Sequence, residues 1–196
     1  MTTRWSMRDL VLVAVLSVVF GFLYWALVQA WGPLQVAMGP FGDLAQNVLI
    51  GGWMVVAPLT VYLLRRPFTG VVAEISAAFV EFAFLGSPVG PILLLSGFIQ
   101  GAGAELPFAL TRYRRFGWGV FVMSGLSASA ASFVYASIRF GWWGQDLFLL
   151  RMVLHLLSGL LLTGVLARVT GDALARSGVV DDLPIGRDRY VTGVDR

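Results

Sequence analysis

Long apolar runs, broken by short polar connections, organise this chain. No charged residue occurs between positions 10 and 42, and 10–30 alone is long enough to cross the hydrocarbon of a bilayer. Further runs follow at 44–64, 67–85, 89–110, 116–138 and 147–167. The pattern predicts an all-α integral membrane protein, a compact six-transmembrane-helix bundle filling 1–169, with a charged, surface-exposed cytoplasmic tail over 170–196. The first run exceeds a signal-peptide core and is followed by no clear small-x-small cleavage site, so it reads as a span.

The arginines orient the bundle. With the amino terminus inside, Arg4, Arg8, Arg65, Arg66, Arg112, Arg114, Arg115, Arg168, Arg176, Arg187, Arg189 and Arg196 fall on the inner side. Only Arg139 and Arg151 fall outside, which predicts an N-in, C-in topology. Two outer connections are longer. Gly32-Pro33 and Gly39-Pro40 signal turns in 31–43, and Trp142 and Trp143 in 139–146 suit headgroup-level anchors or a lid. Pro58 and Pro107 are expected to kink spans two and four.

Composition narrows the class. Charged residues make up 13% of the chain and hydrophobic residues 58%, too little polar surface for a soluble enzyme or nucleic-acid module. Cysteine is absent, which removes disulfides, thiolate metal sites and cysteine nucleophiles. No Walker A loop or HExxH motif occurs, and nothing calls for a cofactor, a metal or a catalytic group.

Ionisable residues inside spans must face the bundle or a wet cavity. Glu74 and Glu81 lie seven positions apart, nearly on one helix face and about 10.5 Å apart along its axis. A tight turn at Gly86 sets spans three and four antiparallel and brings Glu74 to the depth of Gln100, within reach of a hydrogen bond. Glu105 lies one stripe from Arg112 for local neutralisation. In the outer half, Tyr24, Gln46, Asn47, Trp53, Glu81, Tyr135, Arg151 and His155 converge from several spans. Aromatic faces with a few polar groups can enclose a ring-bearing solute, and Glu81 could neutralise a cationic one. The same groups could serve packing, with Arg151 paired to Glu81. Small residues allow close helix approach: Gly97 and Gly101 in span four, Ser124, Ala128 and Ser132 in span five, and Ser17 and Gly21 in span one. Ala14, Ser17 and Gly21 form a face for either internal packing or a partner subunit.

The chain resembles a known family, the YkoE-like substrate-binding S-components of energy-coupling factor (ECF) transporters. The resemblance spans about 5–168. Its carriers are GGW at 51–53, LLRRP at 63–67, Ala73-Glu74, Glu81, and above all SGFIQGAGAE at 96–105, followed by Phe108-Ala109 and Arg112-Tyr113-Arg114. It implies a non-enzymatic, six-helix protein of a prokaryotic cell membrane. Such a protein captures thiamine or its hydroxymethylpyrimidine (HMP) precursor and works with a transmembrane coupling subunit and cytoplasmic ATPases. The Ala-x-x-x-Ala surface of related components has no clean counterpart in span one. A membrane scaffold, or less readily a membrane enzyme, stands as the alternative.

Overall fold

The computed structural model describes residues 5–186 and is all-helical there. Five segments are long and apolar enough to cross a membrane: Met7–Ala37, Gly39–Leu64, Leu93–Leu110, Trp118–Phe140 and Phe148–Arg176. The protein is therefore an integral, multi-pass membrane protein. The third of the six expected runs forms a shorter helix.

Helix α1 (Met7–Ala37) starts with a capping box: Asp9 N donates to Ser6 Oγ at 3.2 Å, and Ser6 N donates to the Asp9 carboxylate at 2.7 Å. Only the stripe Asp9, Val13, Ser17, Gly21 and Tyr24 is buried, while Val11, Val15, Val18 and Phe22 stay exposed, as expected of a helix facing lipid. The helix runs through Gly32-Pro33, where a turn was expected, because Pro33 sits in its exposed final turns and disturbs few backbone bonds. The turn comes at Gly39, whose φ is +53°.

The second span is the centre of the bundle, with 78% of its apolar window buried against 22% in α1. It is also broken. A 3₁₀ turn (Gly39–Leu44) leads into α2 (Ala45–Leu49), then a 3₁₀ stretch (Ile50–Met54), then α3 (Val56–Leu64). The break lies at Gly51-Gly52; Pro58 occupies the first turn of α3, where a missing N–H costs little. Polar groups freed by the break find partners in the last span: Gly51 N donates to Ser158 Oγ at 2.9 Å, Ser158 Oγ donates to Val48 O at 2.6 Å, and Thr163 Oγ1 donates to Gly51 O at 2.8 Å. In a hydrocarbon setting each such group must be satisfied within the protein.

Helix α4 (Thr69–Phe79) continues as a π-helical turn (Val80–Phe84), and α5 (Leu93–Leu110) returns beside it. Gly97 and Gly101 let the two backbones touch; an added Cβ at Gly101 would lie 2.9 Å from Val71 Cα. At the opposite end Glu105 receives the amides opening α4 (Phe68 N at 2.5 Å, Val71 N at 2.9 Å) and the Tyr113 hydroxyl at 2.7 Å. A carboxylate against a helix amino terminus is well placed. Arg112 is not its partner, because α5 stops at Leu110 and the next turn brings Tyr113 back instead. Burial and the Glu105 carboxylate beside it push the Tyr113 phenol above its ordinary range, so it stays a donor. Glu105→Ala strands these donors and is expected to lower stability by about 2–3 kcal/mol, read as an earlier thermal unfolding transition in detergent.

Helix α6 (Trp118–Phe140) packs on α5 through Ser124 Oγ, which donates to Ala104 O at 2.6 Å. The last span comprises α7 (Phe148–Ser158), a π-helical stretch (Gly159–Val165) and α8 (Leu166–Arg176). The expected tail thus begins inside a helix. After it the chain folds back, burying Val180, Leu183 and Ile185 and placing Asp182 2.9 Å from Arg8. The apolar positions of the VVDDLPI sequence drive this return by covering core surface. Arg187, Arg189, Arg196 and Arg4 lie outside the described residues.

Candidate functional site

A chamber at the arginine-poor end has a volume of about 80 Å³, room for several waters. Five segments wall it. Helix α1 brings Tyr24, Val28 and Trp31, and the broken span brings Gln46, Ile50 and Trp53. Glu74 and Glu81 come from α4 and its π-turn, Gln100 from α5, and Ser132, Tyr135 and Arg139 from α6.

Several walls are fixed in advance. Trp53 Nε1 donates to Tyr24 O at 3.1 Å, which sets the indole plane. The Tyr24 hydroxyl accepts from Val56 N at 3.3 Å, and the Glu74 carboxylate accepts from Ala57 N at 3.3 Å. Glu81 takes the Ser87 hydroxyl at 2.8 Å, tying the π-turn to the α4–α5 connection. Both carboxylates are buried, at 1% exposure. Gln100 donates to Ser132 Oγ at 3.4 Å and not to Glu74, which takes the Ala57 amide. Two groups on the wall, Tyr135 OH and Trp31 Nε1, have no hydrogen-bond partner among the described residues.

The structure brings together Tyr24, Gln46, Trp53, Glu74, Glu81, Gln100 and Tyr135. It leaves Asn47, Arg151 and His155 outside the chamber wall. Asn47 faces away from it, its Oδ1 3.1 Å from His155 Nδ1, and both residues are fully buried. Arg151 pairs with Asp43 instead of Glu81 and lies 5.1 Å from the Trp142 ring centroid. This ion pair fastens the 3₁₀ turn before α2 to α7. Trp142 is buried rather than set at the headgroups, while Trp143 is 58% exposed.

The proposed partner face divides. Ser17 is buried and donates to Ala73 O at 3.3 Å, and a Cβ on Gly21 would lie 2.7 Å from Val80 Cβ, so both pack on the α4 segment. Ala14 remains exposed.

Arg139 and Trp31 were not among the expected site residues. The spacing Ser132, Tyr135, Ala136, Arg139 places Arg139 on the chamber face of α6, a signal present in the sequence. Trp31 reads in the sequence as an interfacial anchor, because an aromatic ring near the end of a span suits the headgroup level.

A multi-spanning bundle enclosing a chamber walled by aromatic and polar side chains defines a membrane transport component. The profile of the permease component of ABC-type cobalt transport systems matches residues 8–131. A Bacillus subtilis (strain 168) protein, YkoE, provisionally named an HMP/thiamine permease protein, is 34% identical over 186 residues, covering 94% of this chain and 92% of YkoE. A crystal structure of an S-component of an ECF transporter superposes with a TM-score of 0.88 at 32% identity, covering 96% of this chain and 95% of that one. This chain belongs to the YkoE-like S-components of ECF transporters, and its role is transport, not catalysis.

Proposed function

We propose that this S-component captures thiamine or its HMP precursor in the chamber and passes it inward with a transmembrane coupling subunit and cytoplasmic ATPases. The observation that carries the reading is the pair of buried carboxylates among oriented aromatic walls, with two polar groups, Tyr135 OH and Trp31 Nε1, left to a solute. Glu81 neutralises the thiazolium, with Trp53 or Tyr135 as its face; Tyr24, Gln46, Glu74 and Gln100 orient the pyrimidine. Asn47, His155 and Arg151 act from behind by holding the wall that carries Gln46. The donor set of carboxylate, amide and phenol suits an organic cation better than a cobalt ion, since the one imidazole of the chain is turned to Asn47.

In this reading the 69–84 segment is a sixth crossing and both termini face the cytoplasm. The arginine asymmetry supports that orientation. The exposed face of α1 around Ala14 meets the coupling subunit.

The test is calorimetric titration of the purified chain in nanodiscs with thiamine, thiamine phosphates and HMP. Saturable, one-to-one binding of thiamine or HMP is expected; none with either sinks the assignment. Tyr135→Phe is expected to weaken binding roughly tenfold, the loss of about one hydrogen bond, with an unchanged unfolding transition.

A further inference from the structure

We propose that the groove between α5 and α6, at the arginine-rich end of the bundle, binds one anionic phospholipid. Its walls are apolar and open sideways: Leu106, Leu110, Val120 and Met123 line it, with Leu110 76% and Met123 55% exposed. Such a surface fits an acyl chain. At its mouth stands Arg115, and Arg112 and Arg114 of the same connection are exposed beside it.

Charge decides what kind of lipid. None of these three arginines has an ion pair among the described residues, whereas Arg8 meets Asp182, Arg66 meets Asp9 and Arg168 meets Asp172. Among the described residues, three arginines without an ion pair therefore stand together on the α5–α6 connection. Basic residues over an apolar inter-helix groove complement a phosphodiester headgroup above its chain.

The connection is held ready. Arg112 and Tyr113 both take left-handed φ values, +53° and +56°. Their amides donate back to Ala109 O and Phe108 O, each at 2.8 Å, and the Tyr113 hydroxyl is fixed on Glu105. Little backbone ordering remains to oppose binding. Trp118, 50% exposed in the first turn of α6, adds an aromatic ring suited to the headgroup level. Inorganic phosphate could use only the arginines and a zwitterionic lipid mainly the groove; an anionic phospholipid uses both.

The delipidated full-length chain is titrated in detergent with phosphatidylglycerol or phosphatidylcholine of equal chain length and read by native mass spectrometry. Phosphatidylglycerol is expected to bind roughly tenfold more tightly, with the preference falling to near parity in the R112Q/R114Q/R115Q variant and persisting in R176Q. Glycerol phosphate at the same concentration should not displace the lipid. A preference that survives the triple substitution, falls equally in R176Q, or yields to glycerol phosphate overturns the site. A benzophenone side chain placed at Met123 separates the remaining occupants: a lipid adduct supports the proposal, and cross-linking to a coupling subunit in an assembled transporter overturns it.

Discussion

Glu81→Gln is expected to weaken thiamine binding by roughly thirtyfold to a hundredfold, about 2–3 kcal/mol, and to change binding of neutral HMP only a few-fold. The substitution keeps the shape and leaves an oxygen for Ser87, so the wall between the π-turn and the α4–α5 connection persists. What it removes is the negative charge facing a cation in a site screened from water. The carboxylate is 1% exposed, so solvent cannot make good the loss. Glu74 cannot stand in readily, because it lies deeper and already serves Ala57 N. Parallel titrations of both solutes read the effect as a ratio, which cancels any general loss of folded protein. An unchanged ratio would remove Glu81 from the cation's surroundings.

Gly51→Ala is expected to be strongly destabilising, because among the described glycines it would bring an added methyl nearest to a backbone atom. A Cβ there would sit 2.1 Å from Ser158 O and 2.6 Å from its carbonyl carbon, and both are backbone atoms that cannot rotate away. The central span and the last span would have to separate, straining the bonds between Gly51, Ser158 and Thr163. Overpacking of this kind costs about 3 kcal/mol, or roughly a 10 °C lower unfolding temperature for a chain of this size. Gly32→Ala is the control, since nothing lies within 4 Å of its added methyl. Equal behaviour of the two variants in a thermal-shift measurement would contradict the close contact.

Much of the architecture was legible because lipid imposes a simple code. Runs of apolar residues marked the helices, and the rule that buried carboxylates face inward placed Glu74 and Glu81 on the chamber wall. The Gly86 turn correctly set Gln100 near Glu74. The code fails where a buried polar group has several possible partners. Arg151 at a depth near Glu81 suggests that pair, and only the folded chain shows Asp43, 108 positions away, beside it. Ser17 and Gly21 carry the same small-residue signal whether they meet α4 or another subunit. The return of 177–186 onto the core was masked by its charges, although Val180, Leu183 and Ile185 carry the burial. The π-helical turns left no periodic trace, since five- and seven-residue irregularities disappear within an apolar run.

The unequal lengths of α1 and the α4 segment have a consequence for the surrounding bilayer. At ~1.5 Å per residue, the 31 residues of α1 span about 46 Å and the 16 of α4 with its π-turn only about 24 Å. Set against ~30 Å of hydrocarbon, α1 exceeds the lipid thickness, and the α4 segment packed against it is shorter than that thickness. A helix this much longer than the hydrocarbon is accommodated by tilting or by local thickening of the bilayer around it. An upright stance is thus elastically opposed from the outset, and membrane thickness becomes a variable that can set the resting angle of this protein.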